Sequence, residues 1–250
     1  MPNVEAIDTF LASVYRDQDV EGESASYVKL LTNAFRHPVL GLAAFRHLMS
    51  FPVVKVAIPE TEKSRTRWLF DPRRPWKHHG FIASYIELPS PLSKYFQGTA
   101  KQNLRTRTSH AKVAGFQVRP VDSLEINDVI SQVFKDKGWE EHEIEANLHK
   151  MGLRQVGETM SAPICVAVYD ASGHVVGFSL GTQTGNVVRT LLSFNSIKGS
   201  VRWLCFSGYV QEVSARGGRF IVESPPWAFT GGNNIFARHL GFVPARIRST

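Results

Sequence analysis

Ile164-Cys165-Val166-Ala167-Val168-Tyr169, then Asp170-Ala171-Ser172-Gly173, then His174-Val175-Val176-Gly177-Phe178-Ser179-Leu180-Gly181, spells strand, tight turn, strand. Two apolar runs rich in valine flank four residues, of which Asp, Ser and Gly favour a hairpin turn. A second turn at Thr184-Gly185-Asn186 leads into a third strand, Val187–Phe194. Three strands joined by tight turns must be antiparallel neighbours, and the rest of the fold is laid out around them.

Downstream, a helix from about Gly199 to Ala215 is ended by Arg216-Gly217-Gly218, with glycine placed to take the left-handed position after the last turn. A strand Phe220–Glu223, a loop through Pro225-Pro226-Trp227, a helix from about Gly232 to Leu240 and a strand Val243–Ile247 complete the chain. Upstream, a short strand Phe116–Val121 precedes a helix whose one face carries Ile126, Val129, Ile130 and Val133, and a Glu-rich helix over about 139–151. Residues 116–250 therefore spell β-α-α-β-β-β-α-β-α-β.

The first part of the chain is less regular. Phe10, Val14 and Tyr15 share a face of one helix, and Tyr27, Leu30, Leu31, Ala34 and Phe35 share a face of a second that His37-Pro38 would end. Strands are expected at Phe51–Ile58, Thr66–Phe70 and Phe81–Leu88, the last two separated by the turn-forming Asp71-Pro72-Arg73-Arg74-Pro75. Pro89-Ser90-Pro91 breaks the chain, and Ser93 is placed to cap a long helix ending near Gly115.

Charge is concentrated there. Residues 61–119 hold twelve Lys/Arg against three Asp/Glu, a balance of +9 in a chain whose total is +7. From Leu88 to Val121 there is no acidic side chain. Such self-repulsion is relieved by a bound anion, so the segment is expected to dock a polyanion, through Lys94, Lys101, Arg105, Arg107 and Lys112. His78-His79 is read as part of the same surface, and Tyr95, Phe96, Trp68 and Trp76 lie in or beside it.

Composition suits a soluble globular protein: 250 residues, 43% hydrophobic, sixteen Phe. Met1-Pro2-Asn3-Val4-Glu5 lacks the basic and apolar regions of a signal peptide, and no apolar stretch is long enough to span a bilayer. Cys165 and Cys205 sit in apolar contexts, as buried thiols in a reducing cytoplasm would. His142, Glu145 and His149 share a helix face at ligand spacing, but that helix is otherwise Glu- and Lys-rich; it reads as a solvated surface, and no metal site is assigned.

The element order and the ending Asn234-Ile235-Phe236-Ala237-Arg238-His239-Leu240-Gly241-Phe242 resemble the GNAT acyltransferase fold. Lys101-Gln102-Asn103-Leu104-Arg105-Thr106-Arg107, running on to Ala114-Gly115-Phe116, is similar to the basic helix preceding the second GNAT half in Fem-type peptidoglycan aminoacyltransferases and in cellulose-biosynthesis-type acyltransferases. The resemblance implies an α/β (α+β) fold, a mixed central sheet flanked by helices, in three parts. Residues 1–92 would be a smaller α/β region like a reduced GNAT half, 93–115 a basic connecting helix, and 116–250 the GNAT-like domain.

Two departures matter. Where GNAT domains carry Gln/Arg-x-x-Gly-x-Gly/Ala for the coenzyme A pyrophosphate, this chain has Ser196-Ile197-Lys198-Gly199-Ser200-Val201. Lys198 and the backbone of Gly199 and Ser200 offer a phosphate grip, with Ser196 and Val201 in place of the usual residues. The Tyr that protonates the thiolate in many relatives is replaced by Ala237. Both departures suit an aminoacyl-tRNA donor, whose leaving group is a ribose hydroxyl and whose phosphates spread along a backbone.

The implied chemistry is acyl transfer to an amine. Backbone N–H groups near Phe194–Ser196, where the fourth and fifth strands splay, would polarise the donor carbonyl. Glu223 is the first candidate for the base that deprotonates the ammonium, His239 the second, and Asn195 could orient the acceptor. Three classes remain: a transferase using aminoacyl-tRNA and no cofactor, one using acyl-CoA as cosubstrate, and a non-catalytic nucleic-acid-binding module of the same fold. No membrane partner is expected, and the acceptor and oligomeric state are not legible.

Overall fold

The computed structural model describes residues 3–15, 32–59, 81–150, 162–197, 199–223 and 232–249. The expected strand over 66–70, the Tyr27–Leu31 part of the second helix, Trp68, Trp76, His78-His79 and Lys198 lie outside them. The elements are α1 (Val4–Tyr15), α2 (Pro38–Ser50), β1 (Val53–Val56), β2 (Phe81–Glu87), α3 (Gln102–Val113), β3 (Gln117–Pro120), α4 (Ile126–Lys135), α5 (Glu141–Lys150), β4 (Pro163–Tyr169), β5 (Val175–Thr184), β6 (Val187–Asn195), α6 (Val201–Ala215), β7 (Phe220–Glu223), α7 (Gly232–Leu240) and β8 (Val243–Ser249). From β3 onward this is the expected order, element for element, of a GNAT-like mixed sheet with flanking helices.

The chain forms two compact units, residues 1–86 with 223–250, and residues 87–222. The last helix and strand fall in the same unit as the N-terminal part. In the first unit β8 lies parallel to β1 and antiparallel to β2. Arg246 ties the edge, its backbone N–H donating to Pro52 O at 2.9 Å and its Nε to Phe51 O at 3.1 Å. Ile7, Phe10 and Leu11 of α1 pack on Ala44 and Leu48 of α2. Pro38, expected to end a helix, also starts one: it occupies the first turn of α2, where its missing N–H has no helical acceptor to lose.

In the second unit the strand order is β7-β6-β5-β4-β3, with β3 to β6 antiparallel and β6–β7 parallel. One face carries Cys165, Ala167, Phe178 and Leu180, buried under Ile126, Ile130, Val133 and Phe134 of α4 and Ile144 of α5. The other face takes α6, close enough that Gly208 faces the Val118 side chain and Ser179 Oγ lies 3.3 Å from Cys205 Sγ. Both cysteines are free and buried, and burial pushes the Cys205 thiol up to about 12 and Cys165 further still. The hairpin turn is held by Asp170 Oδ1, which accepts from Ser172 N (2.9 Å), Ser172 Oγ (2.6 Å) and His174 N (3.0 Å). These bonds hold the Asp170 carboxyl below its usual range.

The single helix expected from Ser93 to Gly115 is instead three pieces. A 3-10 turn spans Leu92–Phe96, another Thr99–Lys101, and only then does α3 begin. Gln97 is extended and Gly98 sits at φ +80, a backbone step that a continuous helix cannot contain. Ser93 is inside the first turn and caps nothing.

Candidate functional site

The donor site expected from the sequence falls at the C-terminal end of β6 in the second unit. The β6–β7 register covers only Val187–Arg189 against Phe220–Val222, while β6 runs on to Asn195. Among the described residues, the far half of β6 is paired with β5.

A bulge decides which groups of this half face away from β5. At the start of β6, Phe220 N–H donates to Asn186 O at 3.0 Å, so even-numbered peptide groups face β7. The β5–β6 register then slips between Leu180 and Gly181, whose partners are Leu192 and Thr190. One extra residue, Leu191, inverts the alternation. Beyond it Ser196 N–H donates to Val176 O at 2.9 Å, so even-numbered groups now face β5. The N–H groups of Ser193 and Asn195 consequently point away from β5. The sequence points to the stretch Phe194–Ser196 without this parity; Ser196 N–H is already used, and that of Phe194 points the same way. The Phe194 side chain also turns to the opposite face, its ring 4.7 Å from that of Phe134.

Side chains follow the same parity. Ser193, Asn195, Ser179 and Gly177 share the face under α6, and Ser193 Oγ lies 2.8 Å from Ser179 Oγ. A Cβ on Gly177 would come within 2.5 Å of Asn195 Oδ1, so the bare glycine makes room for the amide. Asn195 Oδ1 is a buried acceptor with no hydrogen-bond partner among the described residues, as is Thr190 Oγ1. Unsatisfied buried polar atoms at a strand end mark a place where a ligand group completes the network.

After Asn195 the chain turns through Ser196 and Gly199, the latter exposed at φ +104, into α6. Ser200 occupies the N-cap without a side-chain cap bond, and the first turn of α6 has no acidic residue. Arg202 stands in that turn, half-buried, and burial lowers its pKa.

The basic helix is joined to the same end. Leu104, Thr108 and Ala111 of α3 recur at helical spacing; Leu104 and Ala111 are buried, and Thr108 Oγ1 reaches Trp203 O in the first turn of α6 at 3.4 Å. That seating puts Lys101, Arg105 and Lys112 on one flank of α3 and Arg107 on the other. Their roles differ. Arg105 Nη1 donates to Phe96 O at 2.7 Å and to Gly98 O at 2.8 Å, closing the 3-10 turn. Lys101 Nζ lies 4.3 Å from the Tyr95 ring centroid, and burial brings its pKa down to about 8. Tyr95 is buried, so it is part of the packing and not a platform for a base. Lys94, Arg107 and Lys112 are exposed.

In the first unit, Glu223 ends β7 half-buried and His239 is half-buried in the last turn of α7. Ala237 is buried and carries no group that could give a proton. Among the described residues no group of three or more His, Cys, Asp or Glu is arranged to hold a metal, and no helix is long and apolar enough to cross a membrane.

No protein-family model and no curated protein matches the chain. Solved structures do resemble it. The L-PGS of Bacillus licheniformis matches with TM-score 0.47 and 12% identity, over 68% of this chain and 60% of that one. A conserved protein of unknown function from Bacteroides thetaiotaomicron gives 0.46 and 12%, over 75% and 64%. FemX gives 0.44 and 9%, over 66% and 59%. The chain spans less than two thirds of the length of each of these structures.

Proposed function

We propose that the chain is an N-acyltransferase that takes an activated acyl group from an aminoacyl-tRNA and joins it to an amine. The observation that carries this is the end of β6. There a bulge turns two N–H groups away from β5, beside the buried Asn195 Oδ1, which has no hydrogen-bond partner among the described residues, and the acid-free, cation-bearing α3. In this reading the Ser193 and Asn195 N–H groups polarise the donor carbonyl and hold the oxyanion as the amine attacks. Glu223 removes the ammonium proton, with His239 as the second candidate. Phosphates of the tRNA lie along Lys94, Lys101, Arg107 and Lys112, with Lys198, Gly199 and Ser200 gripping the phosphate nearest the ester. FemX and L-PGS resemble the chain in fold, which agrees with this reading without carrying it.

A second reading has its own observation. The uncapped first turn of α6, with Arg202 half-buried in it, also suits the pyrophosphate of an acyl-CoA. Salt titration of binding separates the two. Aminoacyl-tRNA binding is expected to weaken steeply with salt. Changing Lys94, Arg107 and Lys112 together to Gln should flatten the log–log slope by about 3, roughly one for each phosphate no longer neutralised. Arg105 is left out of this set because its loss would also open the 3-10 turn. A chain indifferent to tRNA that binds acyl-CoA tightly, and loses that binding in Arg202→Gln, would establish the second reading.

A further inference from the structure

Three side chains form one hydrogen-bonded row between α6 and the sheet. Cys205 Sγ of α6 lies 3.3 Å from Ser179 Oγ of β5, and Ser179 Oγ lies 2.8 Å from Ser193 Oγ of β6. Cys205 is 0% exposed and Ser179 1%, while Ser193, on the far half of β6, is exposed. The row therefore runs from the core to the surface. A buried hydroxyl is costly unless its bonds are made, and here Ser179 has a polar atom on either side.

Which way the protons point follows from which end is buried. Among the described residues Cys205 Sγ has Ser179 as its hydrogen-bond partner and no other. Burial pushes the thiol up to about 12, so it keeps its proton. If Ser193 donated inward to Ser179, and Ser179 to the sulfur, the Cys205 S–H would be left in the core with no acceptor. If Cys205 donates to Ser179, and Ser179 to Ser193, each interior proton is used and the one left over belongs to the exposed end. Ser193 O–H is then available to donate outward. Because its oxygen accepts a hydrogen bond, it is a better donor than an isolated hydroxyl.

We infer that the Ser193 hydroxyl carries a proton to the leaving oxygen of the acyl donor. This rests on the transfer reaction proposed above, in which the N–H of the same residue holds the donor carbonyl, and it supplies the proton that Ala237 cannot give. An amine already free of its ammonium proton attacks the carbonyl carbon; the C–N bond forms and the carbonyl π pair moves to oxygen. When the C=O re-forms, the bond to the ribose oxygen breaks. That oxygen takes the Ser193 proton, and Ser193 Oγ takes the surplus proton of the newly bonded nitrogen. The serine ends as it began, and the products are an amide and a free ribose hydroxyl.

The experiment compares two donors on one carrier: alanyl-tRNA with its ordinary ribose ester, and alanyl-tRNA joined through sulfur to a terminal 3′-thio-3′-deoxyadenosine. Hydroxylamine is the amine probe, and the full chain is used throughout. A thiolate departs without a proton, whereas a ribose oxygen needs one. Ser193→Ala keeps the N–H and removes the hydroxyl. It should lower kcat for the ribose ester by about a hundredfold with KM little changed, and should lower kcat for the thioester by less than about threefold. Ser193→Thr should restore most of the ester rate, since it returns the hydroxyl. Ser179→Ala removes the inner bond and keeps the acid, so it should slow the ester by about fivefold and leave the thioester near wild type. The melting temperature of Ser193→Ala should match wild type, because the side chain is exposed. Equal losses on the two donors, or no loss on either, overturn the proposal while the transfer reaction stands. Transfer from neither donor by the wild type removes the reaction and the proposal together. A Ser193→Ala protein that melts well below wild type, with no recovery of rate in Ser193→Thr, overturns the proposal in favour of a packing role.

Discussion

Strand β6 has two halves that share a sequence style and differ in what surrounds them. Its first half is enclosed: β5 on one side, β7 on the other, Val187 and Val188 buried. Among the described residues, its second half is paired with β5. Both halves hold a glycine of β5 opposite a polar or aromatic group. Gly181 leaves space for the Tyr209 hydroxyl, and Gly177 leaves space for the Asn195 amide. In the enclosed half the glycine serves packing, since what fills its space is a fully buried side chain of α6. In the second half it serves a side chain whose acceptor atom waits for a partner. The same device, a missing Cβ, is structural on one side of the bulge and chemical on the other.

The comparison breaks most visibly at Gly181. A Cβ there would lie 1.9 Å from the Tyr209 hydroxyl and 2.6 Å from the carbonyl of Arg189. The backbone cannot retreat where β5 is paired on both sides, so Gly181→Ala is expected to cost about 3 kcal/mol. Thermal melting should fall by roughly 6 to 12 °C. Adding Tyr209→Phe should return part of that loss, because it removes the nearer of the two clashing atoms. An unchanged melting temperature in Gly181→Ala would mean that the enclosed half is not packed as described.

Glu223→Gln addresses chemistry with little change in shape. If Glu223 takes the proton of the attacking ammonium, turnover should drop by roughly a hundredfold or more at constant melting temperature. Near-normal turnover would move the base to His239 or to water.

Gly177→Ala then sharpens the contrast. Its Cβ would meet Asn195 Oδ1 at 2.5 Å, but that atom is the end of a side chain that can swing away. The stability cost is expected to stay near 1 kcal/mol, well below that of Gly181→Ala. Turnover should nevertheless fall about tenfold, as it should in Asn195→Ala, because displacing the amide and deleting it remove the same group from the end of β6. If Gly177→Ala lost stability as severely as Gly181→Ala and kept its turnover, the two halves of β6 would be alike and the end of the strand would have no special role.

How far the sequence can be read follows the same divide. The hairpin through Asp170–Gly173 is legible because turn chemistry is local: Asp170 makes all its bonds within four residues. The order of elements from residue 117 onward is legible because each has its own period and its own punctuation. The bulge at Leu191 is not, since nothing in Thr190-Leu191-Leu192 differs from an ordinary strand, and with it the identity of the N–H groups facing away from β5 stays hidden. Gly98 is visible in the sequence, yet the break it makes before α3 depends on Arg105, whose guanidinium closes the turn from seven and nine residues away. Arg105 reads as a phosphate ligand in the sequence for the same reason: charge is visible there and its partner is not. Helix α2 is hidden because Pro38 ends one helical stretch and opens another, and only the ending is evident from the residues before it. The joining of 223–250 to the N-terminal unit rests on strand pairing across more than 190 positions, as in Val53 with Arg246, and no local pattern encodes it.

The smallest expected effect concerns Lys101, and it separates a docking cation from a packing one. Burial lowers its pKa from 10.5 to about 8. The unfolded chain therefore holds a proton that the folded chain has released between about pH 8 and the ordinary lysine range. Stability should rise slightly with pH across that window, since the unfolded state binds more protons there. Anion binding carries the opposite sign. A phosphate favours the charged ammonium, so affinity for tRNA should decline as pH passes upward through about 8, with a slope no greater than one proton per complex. Lys101→Arg keeps the charge at every pH in this range and should remove the decline while leaving the affinity at neutral pH nearly as it was. A binding curve equally flat in wild type and Lys101→Arg would assign Lys101 to the Tyr95 ring alone, and leave Lys94, Arg107 and Lys112 as the cations that meet the phosphate backbone.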